Sequence, residues 1–211
     1  MSSVASALEG PLAGASGGGA PVDEIDVVRA EHYDLLALLL GRAPAQALLD
    51  GLAALGPGEG ALGAATAELR RAAAATDAGA VEREFFELFI GVGRGELLPY
   101  ASYYLTGFLN ERPLARVRED LAALGLTRVE GMSEPEDHLA FLLEIMAGLA
   151  AGRFGAENGA ARRFFDRHVA PWAPRLFADL ERAKSARFYR AVGGLGRVFL
   201  EVEAEAFRMD A

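Results

Sequence analysis

The residues in this chain whose types and spacing could do chemistry lie in two short stretches. The first is Leu98-Pro99-Tyr100-Ala101-Ser102-Tyr103-Tyr104-Leu105-Thr106-Gly107, and the second is Ser133-Glu134-Pro135-Glu136-Asp137-His138. In the first, Pro99 pushes Leu98 toward an extended backbone and interrupts the chain ahead of Tyr103 and Tyr104. Tyrosines clustered this closely either pack with their hydroxyls at a rim or form the aromatic walls of a peptide site. In the second, Ser133 and Glu136 are spaced as a capping box, and Pro135 is tolerated in a first helical turn. Glu134, Glu136 and Asp137 then sit at the positive end of the helix dipole. His138 precedes Phe141, Leu142 and Ile145 by three, four and seven residues and shares their face. Two readings stand for it: a buried histidine bonded to backbone or to Asp137, or one wall of a groove in which Asp137 takes a cationic ligand group.

Catalytic chemistry finds little support in these stretches. Leu142 stands where the second histidine of a helical zinc motif would fall, and only His32 and His168 remain as partners. Gly91-Val92-Gly93-Arg94-Gly95 follows a helical pattern rather than a strand and lacks the Lys-Ser/Thr ending of a phosphate loop. Ser102 has no nucleophile elbow around it. With no cysteine in the chain, disulfides, thiolate metal sites and cysteine nucleophiles are excluded together, and the cytoplasm is the natural compartment. The expectation is a chain with no catalytic residue, no metal and no cofactor of its own.

The elements that must position these stretches read as helices. The chain has 211 residues, 52% of them apolar, enough for one sizeable core. A net charge of −9 leaves no basic footprint for nucleic acid and suits a basic partner. Met1 to Ala20 is rich in Gly, Ser and Ala, lacks the basic start of a secretory signal and reads as a disordered tail. The longest apolar run, around Leu35 to Leu40, falls far short of the roughly 20 residues of a membrane span, so no membrane insertion is expected. Residues 21–211 predict an all-α single domain, a bundle of about eight to ten helices.

In the first helix Ile25, Val28, Leu35, Leu36 and Leu39 fall at helical spacing with His32 in register, and Gly41 stops it. Helices over 44–54 and 60–75 follow, then one capped by Thr76 or Asp77 that carries Phe85, Phe86, Leu88 and Phe89. Further helices are expected over 114–124, 133–152 and 156–169, from Pro171-Trp172-Ala173-Pro174 onward, and over 185–209. Gly193, Gly194 and Gly196 predict a break or a close crossing in the last of these.

Glu84-Phe85-Phe86-Glu87-Leu88-Phe89, the Pro99-Tyr100-Ala101-Ser102-Tyr103-Tyr104 stretch, Glu134-Pro135-Glu136-Asp137-His138 and the late aromatic helix together resemble the TorD/DmsD/NarJ family of redox-enzyme maturation chaperones. The resemblance covers about Asp26 to Phe207. It implies an all-helical chaperone of the bacterial cytoplasm that binds the twin-arginine signal peptide or N-terminal region of a molybdopterin-dependent oxidoreductase subunit. The chaperone would hold that apo subunit until its cofactor is inserted, ahead of export or assembly. The implied peptide site comprises Pro99, Tyr100, Ser102, Glu134, Pro135, Asp137 and His138, with Tyr103 of the aromatic stretch beside them. An acidic, aromatic-rimmed groove suits two arginines followed by an apolar run. Clients of the formate dehydrogenase, dimethyl sulfoxide or trimethylamine N-oxide reductase and nitrate reductase types are all compatible, as are a monomer and a helix-exchanged dimer. Tyr100 stands where some relatives carry Trp. The alternative reading is a helical adaptor that binds a folded partner through the same acidic face.

Overall fold

Helical periodicity dominates the computed structural model, which describes residues 8–9, 23–128 and 134–209. The α-helices run α1 Glu24–Gly41, α2 Gln46–Ala53, α3 Gly60–Ala74, α4 Ala78–Phe85, α5 Ala101–Thr106, α6 Arg112–Ala123, α7 Leu139–Ala150, α8 Ala160–Phe164, α9 Ala173–Arg182 and α10 Phe188–Met209. The fold is all-α, as the patterning predicts. Of the expected disordered tail, Leu8 and Glu9 pair antiparallel with Thr127 and Arg128, and the rest lies outside the described residues.

The described residues form two compact units, one drawn from Met1–Leu38 and Tyr100–Pro171, the other from Leu39–Pro99 and Trp172–Ala211. The first is built around α7, whose Leu139, Phe141, Leu142, Leu143, Ile145 and Met146 are all buried. A helix apolar on every side has no solvent face and must be enclosed. Helix α8 packs on it, and α6 presents Leu114, Val117 and Leu121 inward while Arg116, Arg118 and Glu119 face water. Helix α1 buries the later part of its expected stripe and not the start: Leu36 and Leu39 are buried, whereas Ile25 and Val28 are 66% and 49% exposed. Ala30, Tyr33, Ala37 and Leu40 are buried with them. The buried set keeps the i, i+3, i+4, i+7 rhythm, and its alanines permit close packing.

In the second unit α10 lies against α9, α3 and α4. The Gly193 and Gly196 positions mark a close crossing, not a break, because α10 continues through them. A Cβ at Gly193 would stand 2.9 Å from the Phe177 carbonyl oxygen, and one at Gly196 would stand 2.2 Å from the Phe177 ring. The start of α10 is gripped by carboxylates: Glu84 accepts the N–H groups of Arg187, Phe188 and Tyr189 at 2.7, 3.1 and 2.7 Å. Glu96 accepts those of Lys184 and Ser185. Acceptors on the orphan donors of a helix start are what delay α10 to Phe188, three residues past the expected Ser185.

Two expected helices end in a widened π turn. Helix α4, capped by Asp77 through the Ala80 N–H, passes into Phe86–Ile90, closed by Gly91 N–H on Phe86 O at 2.6 Å. Helix α8 passes into Phe165–Val169, closed by Ala170 N–H on Phe165 O at 2.9 Å. Each π turn begins at the second residue of a Phe-Phe pair. The helix expected from 156 begins only at Ala160, after Gly159 at φ 77°.

The apolar helix expected from Ser133 starts later than the capping-box spacing predicts. Ser133 lies outside the described residues, α7 begins at Leu139, and Glu136 turns its carboxylate to Arg118. Pro135 and the pairing partner of His138 account for the shift, since both favour extended backbone ahead of the helix.

Candidate functional site

The two stretches singled out in the sequence meet within the first unit. Tyr100 is extended (φ −121°, ψ 134°) and forms an antiparallel bridge with His138. The bridge sets Asp137 against the start of α5. Its carbonyl accepts the Ala101 N–H at 2.9 Å, and its Oδ2 accepts the Ser102 N–H at 2.8 Å. Helix α5 has no side-chain cap from its own N-cap residue, Tyr100. Asp137 therefore caps it from 35 residues away, and at 1% exposure it presents no carboxylate to solvent. Ser102, fully buried, accepts the Glu111 N–H on its Oγ at 3.2 Å.

His138 is the N-cap of α7, its Nδ1 accepting the Ala140 N–H at 3.1 Å. An accepting Nδ1 places the proton of the neutral ring on Nε2. Burial pushes this histidine down to about 4, against the pull of Glu134 and Asp137. Its ring meets that of Tyr100 edge to face, centroids 5.0 Å apart. The Tyr100 hydroxyl donates to Glu134 Oε2, and burial, then this carboxylate, raises the phenol above its ordinary range.

Glu134 is the solvent-exposed carboxylate of the expected set. Pro135 is half-buried, and its carbonyl accepts the His138 N–H at 3.1 Å, closing the turn that leads into α7. Tyr103 is half-buried with its ring edge to face with Tyr104, centroids 6.0 Å apart. Pro99 is buried, immediately before Tyr100 in the chain.

The site thus divides into an inner layer, where Ser102, Asp137 and His138 hold helix starts, and an outer one, where Glu134 and the edge of Tyr100 meet water. Two contributors escape sequence reasoning. Arg118 donates through Nε and Nη2 to the buried Glu136 at 3.0 and 2.8 Å, although its own helix pattern marks it only as a wet-side residue. The exposed Leu105, Phe108 and Leu109 follow the tyrosines with no periodic signal to place them. Elsewhere, His168 bonds Asp120 Oδ2 at 2.5 Å while burial lowers its affinity for a proton, and His32 bonds the Val28 carbonyl. Among the described residues no three metal-ligating side chains converge, and no helix is long and apolar enough to cross a membrane.

A family model described as the nitrate reductase delta subunit matches residues 58–178, more than half of the chain and a range that contains every residue of the site. The chain belongs to this family, the TorD/NarJ family. Among TorD/NarJ relatives, the chaperone protein TorD of Vibrio cholerae O395 is 32% identical over 127 residues, 56% of this chain and 58% of that protein. TorD of Aliivibrio fischeri is 30% identical over 132 residues, 58% of this chain and 61% of that protein. The chain therefore spans about three-fifths of the length of these curated relatives. A crystal structure from Archaeoglobus fulgidus, named for redox enzyme maturation, superposes with a TM-score of 0.52 at 20% identity, covering 89% of this chain and 99% of that one. At that identity the likeness bears on the fold, which is the same all-helical one.

Proposed function

We propose that this chain is a maturation chaperone for a molybdopterin-dependent oxidoreductase subunit, and that it binds the subunit's N-terminal leader and holds it until cofactor has been inserted. Membership of the TorD/NarJ family and relatives named as TorD chaperones support the reading. The observation that carries it to a site is the exposed Glu134 carboxylate held against the Tyr100 hydroxyl by a bridge whose buried members do the holding. Twin arginines of a leader find there a carboxylate acceptor and an aromatic edge, the pairing that guanidinium groups favour. The net charge of −9 draws a basic leader toward the chain from a distance. The role needs recognition and no bond-making residue, and it belongs in the cytoplasm, where cofactor insertion precedes export.

The test is capture of molybdoenzyme catalytic subunits from the native cytoplasm, with and without their leaders, on immobilised chain. Leader-dependent capture supports the reading and names the client. Capture of leaderless subunits alone moves the role to subunit assembly, and capture of neither leaves the helical adaptor. Glu134→Gln should weaken leader capture about tenfold, the value of one charge-assisted contact, with the helical circular dichroism unchanged.

A further inference from the structure

At the end of α5 and just past it the chain turns large apolar side chains to water: Leu105 is 46% exposed, Phe108 70% and Leu109 42%. Apolar groups clustered at the surface in this way mark interaction sites. The segment is nonetheless tied down. Gly107 at φ 86° and Asn110 at φ 59° fold it back into a knuckle. The Thr106 hydroxyl donates to the Ser102 carbonyl at 2.8 Å, and the Phe108 N–H lies 3.3 Å from the same Thr106 oxygen. At the far end the Glu111 N–H donates to Ser102 Oγ. Both ends of the knuckle therefore hang on Ser102, and Ser102 hangs on Asp137.

Carboxylates bracket the apolar surface. Glu111 is exposed at the end of the knuckle, and Glu134 is exposed beside Tyr100 at the start of α5. At about 1.5 Å per helical residue, Leu105 lies within roughly 8 Å of Tyr100 along the axis, a span an extended peptide covers in two to three residues. An apolar patch with anionic flanks fits an apolar segment that follows closely on cationic residues. A second copy of a chain of net charge −9 would bring like charge to it instead.

We propose that the knuckle of Leu105, Phe108 and Leu109 seats the apolar run that follows the leader's arginines, and that Ser102 and Asp137 are positioning residues that hold this knuckle and do not touch the peptide. The proposal rests on the leader-binding reading and deepens it.

The probe is a synthetic peptide with two adjacent arginines followed by an apolar run of about 12 residues, read by fluorescence anisotropy on the full chain. Two companion peptides replace the arginines by glutamine or the leucines of the run by serine. Phe108→Ser with Leu109→Ser, both at the surface, should weaken binding of the parent peptide about tenfold or more and cause no further loss with the serine-run peptide. Glu134→Gln should show the opposite coupling, losing nothing further with the glutamine peptide. Ser102→Ala should weaken the parent peptide and speed amide exchange over 107–111 while exchange elsewhere is unchanged. Wild-type binding that is indifferent to the two knuckle substitutions, or an equal loss with both companion peptides, overturns this inference and leaves the leader reading standing. A wild-type chain that ignores the parent peptide overturns both.

Discussion

The His138 ring holds a helix start while packing edge to face with the Tyr100 ring, and the first of these tasks requires it neutral. Protonation of Nδ1 would replace the acceptor of the Ala140 N–H by a donor and place a charge in a buried site. Because burial lowers the folded-state value to about 4, below the ordinary 6.5 of an exposed histidine, the unfolded chain takes the proton more readily. The contribution to stability is complete above pH 6.5 and is lost as the pH falls from there to about 4, a loss on the order of 3 kcal/mol. Buried His168 shifts in the same direction, so the His138 share is isolated by comparison with His138→Asn, which keeps an N-cap acceptor but does not titrate. Urea unfolding at pH 7.5, 5.5 and 4.5 should show the smaller decline in the Asn variant. Arg118→Ala, which takes a guanidinium from the buried Glu136 carboxylate, should cost about 1–3 kcal/mol by the same measurement. The histidine's burial was legible from its apolar neighbours at three, four and seven residues. Its capping role was not, because that depends on where α7 begins.

At the scale of elements, helix ends decide more than helix bodies. The start of α10 rests on Glu84, which reaches the backbone N–H groups of three successive residues from about a hundred residues away. Glu84→Ala should destabilise the chain by about 2–3 kcal/mol, since it leaves buried donors unpaired. Denaturant midpoints check this, and a cost under about 0.5 kcal/mol would show that water serves these donors equally well. The crossing of α9 and α10 makes a complementary prediction. Gly196→Ala must displace the buried Phe177 ring and should cost about 1–3 kcal/mol despite the better helix propensity of alanine. Gly51, with open space where a Cβ would stand, is the control, and alanine there should be neutral or stabilising. The bodies of α2, α3 and α6 follow their sequence periodicity within a few residues, and α9 starts at its Trp172-Ala173-Pro174 signal as expected. The π turns after Phe85 and Phe164 were invisible, because one extra backbone residue leaves no mark on hydrophobic spacing.

For the whole molecule, charge sets what approaches and shape sets what stays. A chain of net charge −9 should lose affinity for a basic leader as salt is added, while the apolar share of binding persists. Anisotropy titrations between about 0.05 and 0.5 M salt should show a steep fall for the twin-arginine peptide and a shallow one for its glutamine companion. A fall of equal steepness for both would mean that the acidic surface does not read the arginines. The all-α class and the family are legible without coordinates, because they rest on periods of three to four residues, on turn residues and on short motifs that need no partner. Tertiary packing fixed the roles within the site, and the short helix α5 as well. It moved the helix start from Ser133 to Leu139, turned Asp137 into a cap for α5, and left Glu134 outermost. The physical reason is separation along the chain: Asp137 meets Ser102 across 35 residues and Tyr100 meets Glu134 across 34, and no local pattern records which distant backbone donor a carboxylate will satisfy.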